Sequence, residues 1–339
     1  YYNLGLALKM QGRFEKAFDA FYKAVWNAVW QDAAYFELAK LACRAGKLEE
    51  ALDLITRSLH RNWTHHKARH LKIALLRRLG REAAVQKEIE AALRLDRMEC
   101  GALCERHLLT NDEQFAALAV QTPHIRIEIA LDYANAGLWD EAIQLLKDST
   151  QVDSSSPMPC YYLAWVYAQA GKQGEAQATL TQAAQLSSAL CFPNKLEDVL
   201  VLQSAMRLHP ADPHAPFLLG NFWYAHRRYA EAIDCWEQSR TLDANNPTVH
   251  RNLGLAYWNK QNEAEKALHS YETAFQHDPT DARVFFELDQ LYKKLNRSPQ
   301  ERLINLEAHA DLVTQRDDLT IERISLLNLL NRHDEAFDL

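Results

Sequence analysis

The chain has 339 residues, with 38 basic and 45 acidic side chains and a formal net charge of −7. Its 10 glycines and 10 prolines fall below average usage, which argues against turn-rich β-sandwiches, barrels and doubly wound sheets. The acidic balance argues against nucleic acid as a partner, and the lack of any long apolar run argues against a membrane.

The cysteines are scattered and form no Cys-x-x-Cys pair. This pattern favours reduced thiols packed as small apolar side chains in a cytoplasmic protein. The six are Cys43, Cys100, Cys104, Cys160, Cys191 and Cys235.

Glycines and prolines recur at one constant interval, which matches the length of a helix–turn–helix unit of a solenoid. In the second unit, Tyr35, Leu38, Ala39 and Ala42 fall on one helix face, and a turn follows at 44–47. The residues that are separated by this interval are Gly12, Gly46 and Gly80; Gly137 and Gly171; Gly220 and Gly254; Pro123 and Pro157; and Pro213 and Pro247. Small residues also recur once per second helix, at Ala17, Ala51, Ala142, Ala176, Ala232 and Ala267.

In chain order, this period predicts units at 1–31, 32–65 and 66–97, which form a first segment, 1–97. Residues 98–122 hold a degenerate helical pair, with Thr110-Asn111-Asp112 as turn and N-cap. Units at 123–156 and 157–190 follow.

The second half begins with a degenerate helix and a Pro-rich connector at 191–212, which ends at Pro213. The segment 213–339 then contains units at 213–246, 247–281, 282–316 and 317–339. One extra residue near Glu263 shifts the second helix of the 247–281 unit. The two degenerate stretches are expected to change the path of the solenoid and to be hinges or sub-domain boundaries.

The units resemble tetratricopeptide repeats, whose pattern runs W-x2-L-G-x2-Y…A-x3-F…P. The best matches are Leu219-Gly220…Trp223…Ala232…Trp236 and Leu253-Gly254…Tyr257…Ala267…Tyr271…Ala274…Pro279. The resemblance implies an all-α, right-handed superhelical solenoid, interrupted by the two degenerate stretches.

A narrower resemblance concerns the runs 192–197 and 257–260. These are similar to the C-terminal repeat region of large bacterial proteins with an N-terminal β-sandwich domain of carbohydrate-enzyme-like fold. Tyr1 falls inside a first helix and Leu339 ends early in a second helix, so we expect a fragment of a longer polypeptide.

No phosphate-loop, dinucleotide-binding, zinc-protease or nucleophile-elbow motif occurs, so we expect no catalytic residue and no cofactor. His65, His66 and His70 cluster, but no carboxylate joins them as a further metal ligand. Cys100 and Cys104 lack a second cysteine pair, so no metal site is predicted.

The stretch from Arg61 to Arg81 carries seven Lys or Arg residues and no acid. It is either a basic patch for an acidic ligand or a solvated helix pair balanced by Glu82, Glu88 and Glu90.

The resemblance implies that first helices line a concave groove where a protein or peptide binds. Residues that face neither the partner helix nor the next unit should lie there. They are rich in aromatic and Arg side chains, which are common at binding hot spots, although packing between repeats would also use such aromatics. The candidates are Phe36, Lys40, Arg77, Tyr161, Trp165, Phe217, Asn221, Tyr224, Arg251, Asn252, Trp258, Arg283 and Phe286.

Asn221, Asn252 and Arg283 are evenly spaced and fall on successive first helices. Some tetratricopeptide repeat domains hold a peptide's terminal carboxylate with such a set. Here Phe217 and Glu287 stand where the resemblance implies basic residues, so the alternative is binding to extended peptide backbone or to water.

The resulting prediction is a non-catalytic scaffold that binds a protein or peptide in its groove. The alternative is an accessory helical half of a carbohydrate-active or carbohydrate-sensing protein, whose partner would be its own N-terminal domain.

Overall fold

The computed structural model describes residues 1–122, 124–152 and 156–339. Throughout these residues the regular secondary structure is helical and no β-strand occurs, which confirms the all-α prediction. The helices pack into two units, Tyr1–Ser187 and Ser188–Leu339. The predicted start of a repeat at Pro123, and residues 153–155 of the same repeat, lie outside the described residues.

In the first unit, each helix packs mainly against the helices next to it in sequence. A short 3-10 helix, Ala28–Trp30, precedes the third α-helix. The α-helices are α1 Tyr2–Met10, α2 Phe14–Ala24, α3 Gln31–Arg44, α4 Leu48–Arg61, α5 His66–Arg78, α6 Glu82–Leu95, α7 Cys100–Thr110, α8 Glu113–Gln121, α9 His124–Asn135, α10 Trp139–Val152, α11 Met158–Gln169 and α12 Gln173–Ala183.

The second unit repeats this pairing of sequence neighbours. A π-helix, Tyr257–Gln261, extends its fourth helix. The α-helices are α13 Leu196–Leu208, α14 His214–Ala225, α15 Tyr229–Leu242, α16 Pro247–Ala256, α17 Ala264–His277, α18 Ala282–Lys294, α19 Pro299–Ala308, α20 Ala310–Val313, α21 Asp317–Leu329 and α22 His333–Phe337.

Paired helices approach closely where the second helix carries a small residue. All six recurring alanines predicted for this role are at most 1% exposed, as required where no large side chain can intervene. The turn within a pair needs a left-handed residue, and Gly46 supplies it with a φ of 77°.

In the second unit, Arg227, Asn262, Asn296 and Asn331 take the left-handed turn position instead of glycine. Asparagine tolerates this conformation better than most residues. The glycine period therefore could not locate these turns.

The extra residue predicted near Glu263 is absorbed by the π-helix Tyr257–Gln261, which ends at the left-handed Asn262. A π-turn adds one residue to a helical turn. The following helix, α17, consequently keeps its face toward α16, with Ala267 fully buried.

The first degenerate stretch folds as α7 and α8. Asn111 is left-handed, and the Asp112 side chain accepts a hydrogen bond from the Gln114 amide as the N-cap of α8. This stretch lies inside the first unit, whereas the division between the units falls just before the second stretch. The repeat boundaries themselves, and the role of either stretch as a hinge, remain predictions.

Candidate functional site

A row of hydrogen-bonded polar side chains crosses α14, α16 and α18, the first helices of three successive pairs. The side chains of Asn246 and Asp281 cap α16 and α18 and fix where these helices begin. Asn252 donates from Nδ2 to Oδ1 of Asn221 over 3.2 Å. Trp236 on α15 donates from Nε1 to the same oxygen over 3.1 Å.

Glu287 on α18 continues the row. Arg251 donates to it through Nε over 2.8 Å and through Nη2 over 2.5 Å, and Arg251 Nη1 donates to Asn252 Oδ1 over 3.3 Å. Arg283 Nε and the Tyr271 hydroxyl also donate to Glu287, over 3.1 and 3.3 Å. We call Asn221, Asn252, Arg251, Glu287 and Arg283 the polar ladder.

The charge of Glu287 is stabilised inside this ladder. Burial alone would raise its pKa, but the hydrogen bonds and charges of Arg251 and Arg283 outweigh burial and lower the pKa. Two guanidinium groups face one carboxylate, so the ladder keeps one excess positive charge.

Unused donors of the ladder remain available to a ligand. The Arg283 side chain is 62% exposed and uses only its Nε in the contacts described above. Among the described residues, no acceptor takes a hydrogen bond from the amide nitrogen of Asn221. A donor-rich, positively charged strip can bind carbonyl or carboxylate oxygens.

Aromatic rings with nearby cations flank the ladder. Tyr224 packs 5.1 Å from Tyr229 and 5.3 Å from Trp236, between ring centroids. The π-helix brings Lys260 to 4.2 Å above the Tyr229 ring. Two further predicted aromatics have similar partners, Trp258 with Lys294 and Phe286 with Arg316.

The sequence around this ladder also matches a known family. Residues 220–261, which include Asn221, Arg251, Asn252 and Lys260, match the family model described as TPR repeat. Residues 220–261 therefore carry a tetratricopeptide repeat match. The predicted family is thereby confirmed, and the proposed N-terminal β-sandwich domain remains a prediction.

Solved structures with a similar fold are distant in sequence. One is PilF of Pseudomonas aeruginosa, which is 19% identical over 63% of this chain and 86% of that chain, with a TM-score of 0.35. Another is MamA of Desulfovibrio magneticus RS-1, which is 18% identical over 57% of this chain and 96% of that chain, with a TM-score of 0.33. A third is the TPR domain of P58(IPK), which is 14% identical over 97% of both chains, with a TM-score of 0.31. Likenesses at this level say nothing about what this chain binds.

Not all predicted groove residues are accessible. Tyr161 is 0% and Phe217 is 7% exposed, so both belong to the packed interior. For these two, the alternative of packing between repeats applies. Trp165 is half-buried on α11 of the first unit and is not part of the ladder.

The predicted cations of the first unit are neutralised within the chain. Lys40 Nζ donates to Glu37 over 2.6 Å and lies 4.2 Å above the Phe36 ring. Burial lowers the pKa of Lys40 to about 8, although Glu37 partly opposes this. Lys40 is therefore a buried, paired residue and not a free groove cation.

Arg77, another predicted groove residue, is likewise paired within the chain. It donates to Glu105 through Nε over 2.7 Å and to Glu141 through Nη2 over 3.0 Å. Glu105 is fully buried and also accepts a 2.7 Å hydrogen bond from the Tyr133 hydroxyl. No sequence pattern linked Arg77 to these partners, which lie 28 and 64 residues away.

The basic stretch 61–81 is balanced mostly by other acids than those predicted. Glu88 does pair with Arg69 and Lys72. The further pairs are Lys67 with Asp132, Arg78 with Glu141 and Arg81 with Glu49. The stretch is thus an internal ion-pair network, and the predicted balance by Glu82 and Glu90 is wrong.

Helices distant in sequence also contact each other in the first unit. Lys67 of α5 pairs with Asp132 of α9 over 2.7 Å, and Arg44 of α3 donates to Gln169 of α11 over 3.2 Å. Gly137 lies so close to α3 that a Cβ there would come within 2.8 Å of the Arg44 Cα. These contacts bring α3 against α11 and against the turn that follows α9.

Across the described ranges, no three His, Cys, Asp or Glu side chains are grouped to hold a metal. His70 is buried against Tyr133, and Cys104 Sγ lies 3.9 Å from the Tyr133 hydroxyl. In the same ranges, no helix combines the length and apolarity needed to cross a membrane.

Proposed function

We propose that the second unit binds an extended segment of a partner protein along the polar ladder, and that the chain acts as a non-catalytic interaction scaffold. The tetratricopeptide-repeat family supports a role in protein interaction. The observation that carries the proposal is the continuous hydrogen-bonded row across three first helices, which leaves donors of Asn221 and Arg283 unused.

The occupant that fits best is peptide backbone. Glu287 already lies between Arg251 and Arg283 and accepts hydrogen bonds from both. A second carboxylate would meet this anion at close range, whereas a carbonyl oxygen carries no net charge and accepts from an amide or guanidinium donor. The flanking rings of Tyr224 and Trp258 supply half-buried surface for side chains of the same segment.

The test begins with a phage-displayed library of linear peptides selected against the full chain. The affinity of one selected peptide is then measured by fluorescence anisotropy for the wild type and for the Asn221→Ala/Asn252→Ala/Arg283→Ala variant. Loss of two neutral hydrogen bonds and one charge-assisted bond predicts a weakening of about 100-fold.

A matched control is Arg207→Ala/Asn245→Ala, which removes an exposed Arg and an exposed Asn outside the ladder. We expect the control to bind as the wild type does. Unchanged affinity in a ladder variant that keeps its helical circular dichroism would reject the ladder as the binding site.

A further inference from the structure

A second candidate surface lies in the first unit. It is a groove of about 410 Å³ between α2 and the turn that joins α3 to α4. Its floor is apolar and its rim is charged. The floor consists of Phe14, Phe18, Leu41 and Ala42, and the rim of Glu15, Asp19, Ala45, Lys47 and Glu50.

The helix pattern explains why the groove stays open. Ala17, Ala20 and Phe21 point α2 into the core, which leaves Phe14 and Phe18 half-buried on its flank. The left-handed Gly46 turns the chain sharply after α3, with the small, exposed Ala45 at the edge. Ala45 and Gly46 therefore place no large side chain over the two phenylalanines.

The rim carries more negative than positive charge. Among the described residues, Glu15 and Asp19 form no ion pair. Glu50 pairs with Lys47 at 3.4 Å, but both side chains are well exposed, and such surface pairs are weak and easily exchanged. Three carboxylates thus face one ammonium group.

Arg44, a cation that contacts the floor of the groove, is occupied. The Arg44 guanidinium stacks 4.4 Å from the Phe14 ring and 4.8 Å from the Trp139 ring, and it donates to Gln169. It forms a wall behind Phe14 and pairs with none of the rim carboxylates. The acidic character of the rim is therefore available to a ligand.

We propose that this groove docks a basic amphipathic segment of a partner protein. Its apolar side chains would enter the floor between Phe14 and Phe18, and its Lys or Arg side chains would meet Glu15, Asp19 and Glu50. The volume lies in the range of about 300–1,000 Å³ that ligand sites usually occupy. An acidic rim repels nucleic acid and anionic lipid, so a cationic protein segment is the occupant that its charge favours.

The probe is a fluorescein-labelled synthetic helix of about four turns with Leu on one face and Lys on the other. The matched control probe replaces every Lys with Glu. Because charge pairing contributes to binding, the Leu/Lys helix should bind at least tenfold more tightly than the Leu/Glu helix, and the difference should shrink at high salt.

Two variants assign the binding to the groove. Asp19→Lys/Glu50→Lys reverses the rim and should weaken the Leu/Lys helix about tenfold or more. Ala45→Trp fills the groove from an exposed position and should abolish binding. The charge-matched control, Asp234→Lys/Glu265→Lys, changes exposed acids of the second unit and should bind as the wild type does.

Circular dichroism verifies that each variant is folded. Equal binding of the Leu/Lys and Leu/Glu helices would overturn the proposal, as would full affinity in the folded Ala45→Trp variant. An equal loss in the charge-matched control would also overturn it, because the binding would then follow net charge alone. The ladder variant Asn221→Ala/Asn252→Ala/Arg283→Ala tests the other site and should bind the Leu/Lys helix normally.

Discussion

Gly220 packs against Trp236, and the indole of Trp236 also donates a hydrogen bond to Asn221 of the polar ladder. A Cβ at this residue would lie 2.5 Å from both Cδ1 and Nε1 of Trp236 and 3.1 Å from the Ala232 carbonyl oxygen. Because Trp236 is 2% exposed, its ring has little room to move. Any shift also stretches its hydrogen bond to Asn221.

These contacts give the expected size of the effect of Gly220→Ala. Overpacking in a filled core costs about 1–3 kcal/mol, and a weakened hydrogen bond adds about 1 kcal/mol. The better helix propensity of alanine returns about 1 kcal/mol. We therefore expect the free energy of unfolding to fall by about 2 kcal/mol.

The control is Gly174→Ala, also within a helix but exposed and with nothing within 4 Å of the added methyl group. It should raise the free energy of unfolding by about 0.5 kcal/mol. Urea denaturation followed by far-UV circular dichroism measures both variants. A Gly220→Ala variant as stable as the wild type would contradict overpacking against Trp236, as would two substitutions that change stability in the same direction.

Three further predictions concern charge and ionisation. Glu287→Gln leaves Arg251 and Arg283 without their anion. The variant should therefore bind a peptide with a free terminal carboxylate several-fold more tightly than the amidated form of the same peptide, as measured by fluorescence anisotropy. The folded state lowers the pKa of Glu287 below its ordinary 4.5, so the contribution of this carboxylate to stability is complete above that pH and is lost as pH falls further. In urea titrations, the free energy of unfolding of Glu287→Gln should therefore fall less at acid pH than that of the wild type. An identical pH profile of the two proteins would count against this. Burial raises the pKa of both the Cys43 and the Cys104 thiol to about 12, so a thiol reagent at neutral pH should modify them only after denaturation, and rapid labelling of the native chain at either would contradict it.

The repeat pattern and the ladder were accessible to sequence analysis because both depend on residues at nearly constant spacing. Asn221, Asn252 and Arg283 recur at equal intervals, and neighbouring first helices place such positions side by side. Phe217 was wrongly expected at an accessible surface because the helix period gives its direction but not what covers it.

The first unit was harder to predict for a physical reason. Arg77 is neutralised by Glu105 and Glu141, which share no period with it, whereas Lys40 pairs with Glu37 on its own helix. The burial in this region depends on how α9 approaches α5. The path between these helices runs through the degenerate stretch 98–122, where the glycine spacing is interrupted. Neither the pairing nor the burial can be computed from a repeat frame that is broken at this point.

The contacts between distant helices in the first unit have a consequence for its folding. In an ideal repeat array each pair touches only its neighbours, so the ends can unravel one pair at a time. The bond between Arg44 and Gln169 closes a loop of 125 residues, and that between Lys67 and Asp132 one of 65. Such loops carry an entropic cost before their contacts form. We therefore expect the first unit to open more cooperatively than the second, whose ladder contacts join residues only 31 to 36 positions apart.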